Sequence, residues 1–160
     1  MDFSVLLTGK WTKSEADGGR FYHYVLYKLS REQITAHLLD CGNRFNPHLI
    51  TKVLRMEHAE IKSILRHIMI ARIFTIHQLV QKLKTISEEQ IRYLIVADID
   101  RLIRDSSVPD YEMQNTMKAA ASLLNDIAYP VCISVNKAIC LNTIAKEITT
   151  WEEQYYLQHN

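Results

Sequence analysis

The chain reads as an α/β protein: a mostly parallel sheet with helices on both faces. Five short apolar runs, residues 3–8, 35–40, 69–74, 93–97 and 131–135, each have the length of a strand. Several are apolar throughout instead of alternating, as strands buried on both faces of a parallel sheet are. Helical segments lie between the runs. That alternation is the signature of an α/β fold, and right-handed crossovers then place helices on both faces of the sheet.

The first run, 3–8, is taken as the first strand. Residues 20–29 follow Gly18-Gly19 and form the first helix. After the strand at 35–40, Asn46-Pro47 combines an N-cap residue with proline at the first helical position, so a helix starts there and runs to Glu57. Residues 60–67 add a further turn or two. Thr75-Ile76-His77-Gln78 has capping-box spacing and opens a helix through Ile86. Asp110 is expected to cap a helix over 111–128, whose Met113, Met117, Ala120, Leu124 and Ile127 fall on one face. Thr150-Trp151-Glu152-Glu153 is a capping box for a last helix.

A length of 160 residues suits one core, so residues 1–160 are expected to form a single minimal domain. With 48% hydrophobic and 23% charged residues, the composition excludes a disordered chain. The formal net charge of +1 gives no global footprint for nucleic acid. Cys41, Cys132 and Cys140 form an odd, widely spaced set without a C-x-x-C pair, which fits free thiols in a reducing compartment. Met1-Asp2-Phe3-Ser4-Val5 lacks the basic start and long apolar run of a signal peptide. No stretch approaches the roughly 20 apolar residues of a membrane span. A cytoplasmic location and no membrane partner are expected.

Four segments, in order, carry a resemblance. Leu39-Asp40-Cys41-Gly42-Asn43-Arg44-Phe45-Asn46-Pro47 looks like the segment I-D-T-E-G-T-F-x-P. Ala71-Arg72-Ile73-Phe74 looks like a strand ending A-R-A-F/Y. Leu94-Ile95-Val96-Ala97-Asp98 looks like a Walker B strand, and Ile133-Ser134-Val135-Asn136-Lys137 like a strand ending T-N-Q. Together they resemble the ATPase core of the RecA/RadA recombinase family over residues 3–137. The resemblance implies a RecA-like sheet and a nucleotide site at the strand ends.

The family's phosphate-binding loop is degenerate here. A P-loop, G-x-x-x-x-G-K-[ST], works through backbone N–H groups at a helix N-terminus, a lysine charge and a hydroxyl on Mg²⁺. If Gly19 takes the second glycine position, Arg20 replaces the lysine, Phe21 replaces the hydroxyl residue and Ser14 stands at the first glycine. Glu15 and Asp17 add charges that repel triphosphate. Gly18, Gly19 and Arg20 are therefore read either as a long turn starting a helix or as an anion site built on helix N-terminal amides.

The resemblance also implies a water-activating glutamate, and Gly42 stands at that position; glycine cannot be a general base. Asp40, two positions earlier, is expected to point elsewhere. Asp98 matches the Walker B aspartate, which reaches Mg²⁺ as a hard oxygen ligand. The alternative is that Asp98 caps the next turn or pairs with Arg101. Asp100 is placed on the solvated side of that turn. Asn136 is either the family's coupling residue or an ordinary strand-end cap.

The two candidate DNA loops, 103–111 and 137–148, are short of basic residues, so DNA binding is expected to be weak. Seven scattered histidines show no metal-ligand spacing. Cys41 reads as a buried thiol rather than a nucleophile. Tyr22, Tyr24 and Tyr27 read as packing residues. Lys52, Arg55, Lys62 and Arg66 read as a solvated helical face.

Three readings follow. The first is a non-catalytic RecA/RadA-like paralog acting in DNA recombination or repair through a related recombinase or self-association, with Trp151, Tyr155 and Tyr156 as interface residues. It needs no resident cofactor and is not an enzyme, because lysine, hydroxyl and glutamate are all missing. The second is an ATPase with an unconventional loop that binds ATP and Mg²⁺ through Arg20, Asp98 and Asn136. The third is an unrelated α/β binding module. The order of strands in the sheet separates the third from the others.

Overall fold

The computed structural model describes residues 11–15, 20–86, 91–104 and 107–135. Strands β1 (Trp11–Glu15), β2 (Ala36–Asp40), β3 (Ile68–Arg72), β4 (Tyr93–Ala97) and β5 (Val131–Val135) form one sheet in the order β1-β5-β4-β2-β3. Every pairing is parallel. The helices are α1 (Arg20–Arg31), α2 (Pro47–Met56), α3 (Ile61–Leu65), α4 (Ile76–Ile86), α5 (Asp100–Arg104) and α6 (Asp110–Asp126). The expected fold class, α/β with a parallel sheet and helices on both faces, is the one observed.

The layering follows from the strand order. The steps β1 to β2 and β2 to β3 run in one direction across the sheet, and β3 to β4 and β4 to β5 run back. Right-handed crossovers in opposite directions must lie on opposite faces. Two cores result. On one face Tyr22, Val25, Leu26 and Leu29 of α1 and Ile50 and Leu54 of α2 pack on Ala36, Leu38, Tyr93, Ile95 and Cys132. On the other, α4 and α6 pack Leu79, Leu83, Met113, Met117 and Leu124 on Leu39, Leu94, Val96, Val131 and Ile133. Successive strand residues go to alternate cores, as the pleat requires. β4 is central and buried throughout, which is why it reads as an unbroken apolar run.

β1 and β3 are the outer strands among those described. β3 leaves Met69 and Ile70 exposed, and Phe74, Leu49, Val53 and Met56 add further exposed apolar side chains. No helix among the described residues is long and apolar enough to cross a membrane.

Several local expectations need correction. The strand that pairs with β5 is Trp11–Glu15, in register Trp11↔Val131. The apolar run 3–8, read as the first strand, lies outside the described residues, as does the capping box at Thr150. Asp110 is the first residue of α6 and not its cap; Pro109 takes the cap position, and Met113 N–H donates to its carbonyl at 2.9 Å. The acid still sits in the first turn, where the helix dipole favours it. The face of α6 that carries Met113, Met117, Ala120, Leu124 and Ile127 is buried in the core shared with α4 and the sheet.

The other helix signals act as their chemistry requires. Asn46 Oδ1 accepts from His48 N–H at 3.0 Å, which caps α2 with Pro47 behind it. Thr75 Oγ1 accepts from Gln78 N–H at 3.2 Å. Gln78 Oε1 reaches back to Phe74 N–H at 2.9 Å, one residue beyond a standard capping box.

Candidate functional site

β2 and β4 are neighbours whose onward connections run in opposite directions, toward β3 and toward β5. The crevice outside their carboxyl ends is thus a topological switch point, where open α/β sheets bind ligands. Asp40 ends β2 and Asp98 follows β4. The matched Cα partners Asp40↔Ala97 bring those strand ends level.

The loop of residues 41–46 runs across the carboxyl ends of these strands, and four anchors hold it. Cys41 N–H donates to Ala97 carbonyl at 3.0 Å, which extends the β2–β4 ladder by one residue. The Asp40 carboxylate accepts from Arg44 N–H at 3.2 Å and from Phe45 N–H at 2.9 Å. His23 Nε2 accepts from Asn46 N–H at 2.8 Å, and its ring stacks between Tyr22 and Phe45, at 4.6 and 5.2 Å between centroids. From α5, Arg101 Nη1 donates to the Gly42 carbonyl. Loop backbone groups that would otherwise sit desolvated are thereby paired.

Asp98 lies beneath this loop. It is 1% exposed and adopts φ 56°, a left-handed backbone rarely used outside turns. Arg44 Nη1 stands 3.7 Å from its Oδ2. Gly42 backs onto the same carboxylate: a Cβ at position 42 would lie 2.9 Å from Asp98 Cβ and Cγ, and closer still to Oδ2. Glycine is needed here for close approach. Burial pushes the Asp98 carboxyl above the usual carboxylate range; Asp100 and Asp40 push the same way, while Arg44 and Arg101 pull it down. The Tyr22 hydroxyl, in the first turn of α1, is fully buried with no hydrogen-bond partner among the described residues. Burial, then the charges of Asp40 and Asp98, raise its pKa.

Of the residues singled out from sequence, Asp98 lies buried just past the end of β4, with Arg44 as an ion partner. Arg101 binds Gly42 through its side chain, and its N–H bonds the Asp98 carbonyl at 3.0 Å. Arg20 begins α1. Gly18, Gly19, Asn136, Trp151, Tyr155 and Tyr156 lie outside the described residues. Two expectations are overturned. Asp40 does not point away; residues two apart on a strand share a face, and its carboxylate holds the loop. Asp100 is not solvated: it is 2% exposed and pairs with Arg104 at 3.3 Å, one turn along α5.

Cys41 is buried, with its thiol pKa pushed well up by desolvation, so it is no ready nucleophile. Tyr22 packs in the core, and Tyr27 donates to Glu57. Lys52, Arg55, Lys62 and Arg66 are exposed, as a solvated face requires.

Magnesium, the metal implied by the resemblance, does not fit these residues. Asp98 is a hard oxygen donor, but a guanidinium stands against one of its oxygens and a backbone packs on the same side. Among the described residues no three His, Cys, Asp or Glu side chains converge as a metal-holding group.

Sequence reasoning missed Arg44, His23, Phe45 and the Gly42–Asp98 contact. For Arg44 a signal was present: a cation four residues after a strand-end aspartate, in a segment that already drew comparison. No protein-family model matches the chain, and no curated protein matches it at a significant level.

Proposed function

We propose that this chain is a non-catalytic, RecA/RadA-like paralog domain, acting in the cytoplasm in DNA recombination or repair through a related recombinase or a second copy of itself. The observation that carries the reading is the packing of residues 42 and 44 onto Asp98. Gly42 occupies the place of the glutamate and abuts Asp98, while Arg44 takes up that carboxylate's charge. Such a site keeps the architecture of a nucleotide crevice without the general base that hydrolysis needs.

The sheet order supports the comparison with that family. β2, β4 and β5 carry the segments that resemble the glutamate, Walker B and T-N-Q strands, and β4 lies between the other two. One nucleotide site assembled from these segments requires them side by side. The buried acid at the switch point also favours a second reading, an ATPase with an unconventional loop, in which Arg20, Asp98 and Asn136 bind ATP.

Sedimentation velocity of the chain, alone over a concentration series and mixed with an active RecA/RadA-type recombinase, tests the partner. Self-association or co-sedimentation is expected, weakened by Trp151→Ala if the aromatic C-terminal segment is the contact. A strict monomer that ignores the recombinase overturns the reading.

A further inference from the structure

We infer that Arg44 is the built-in cation of this crevice: its guanidinium holds the place at Asp98 that a divalent metal would take, and so makes the site independent of metal. The inference rests on the reading above only in treating Asp98 as the metal-type carboxylate. Its own basis is the geometry of residues 40–46.

Arg44 is not a side chain that happens to fall nearby. Its N–H is fixed by Asp40 Oδ1, the next N–H by Asp40 Oδ2, and the loop's far end by His23. Its near end is fixed by Arg101 on the Gly42 carbonyl. These anchors aim the guanidinium at Asp98 Oδ2, 3.7 Å away. Asp98 is 1% exposed while the Arg44 side chain is 34% exposed, so the carboxylate is buried and its cation still reaches water.

A guanidinium stays protonated at any physiological pH, so a positive charge stands beside Asp98 without recruiting an ion. Mg²⁺ demands near-octahedral oxygen ligands and dehydrates reluctantly. To reach Asp98 it would have to displace Arg44 against like-charge repulsion. Arg44 thereby supplies the positive charge at Asp98 that a metal would otherwise bring, and the loop is anchored by protein groups alone.

Mn²⁺, followed by its solution EPR signal, is the probe. The full chain is titrated as wild type, Arg44→Lys, Arg44→Gln, Asp98→Asn and the Arg44→Gln/Asp98→Asn double variant. Circular dichroism establishes that each is folded. Wild type and Arg44→Lys are expected to bind no more Mn²⁺ than Asp98→Asn. Arg44→Gln is expected to take up one additional ion, with a rise in melting temperature on adding Mn²⁺, and the double variant to lose both effects. Uptake of an ion by wild type that disappears in Asp98→Asn overturns the inference. So does a folded Arg44→Gln that binds no more than the double variant. Should Arg44→Gln fail to fold, the comparison of wild type with Asp98→Asn still decides. Sedimentation with a recombinase is a separate measurement, so failure of the functional reading is distinguishable from failure here.

Discussion

Gly42 lies against Asp98 so closely that a Cβ on residue 42 would stand 2.9 Å from the Cβ of the aspartate. The two residues follow adjacent strands, and each limits what the other can be. An acid at position 42 would put a second carboxylate into space already filled by the first.

Gly42→Ala is expected to destabilise the fold by about 1–3 kcal/mol, the usual cost of overpacking a filled site. Gly42→Glu, which restores the acid that the family comparison calls for, costs more and gives no ATP turnover. Urea denaturation midpoints and a phosphate-release assay check both. A Gly42→Glu protein as stable as wild type would mean that the loop has room to spare.

Tyr22→Phe is expected to leave stability within about 1 kcal/mol of wild type, on the stabilising side. The hydroxyl is buried without a hydrogen-bond partner among the described residues, and removing such a group relieves desolvation without losing a bond. A clear loss of stability in the same denaturation series would show that the hydroxyl is bonded after all.

The ionisation of Asp98 is expected to weaken the fold. Its folded pKa is raised above the ordinary 3.8, chiefly by burial. Between that value and the raised one, the native state holds a proton that the unfolded state has lost. Stability contributed by protonated Asp98 is therefore full below 3.8 and is lost as pH rises through the folded pKa. Relative to Asp98→Asn, which cannot titrate, wild type should lose stability across that window. A difference that grows in favour of wild type with rising pH would mean that pairing with Arg44 outweighs burial.

What could be read from the sequence depended on how local each cause was. β4 and β5 match the expected runs at both ends, and β4, buried throughout, carries the unbroken apolar signal of a strand covered on both faces. The start of α2 was legible because Asn46 and Pro47 act on their own backbone. β1 was not: Trp11-Thr12-Lys13-Ser14-Glu15 has the mixed composition of an outer strand, and the apolar run at 3–8 gave a stronger signal. Asp98 was visible as an acid after an apolar run. Its partner Arg44 and its neighbour Gly42 were visible only as letters in a resembling segment. The contacts between them exist because the sheet order sets β2 beside β4, a tertiary fact with no local periodicity to report it. Asp40 and Asp100 were misread for the same reason, since exposed and buried acids look alike in a sequence.

The proposed non-catalytic reading is tested most directly by ATP turnover. The purified chain, with Mg²⁺ and with single-stranded DNA present or absent, is assayed for phosphate release beside Asp98→Ala. Both proteins are expected to stay at background, because Gly42 offers no general base and Arg44 stands against Asp98. Turnover by wild type that disappears in Asp98→Ala would contradict the account.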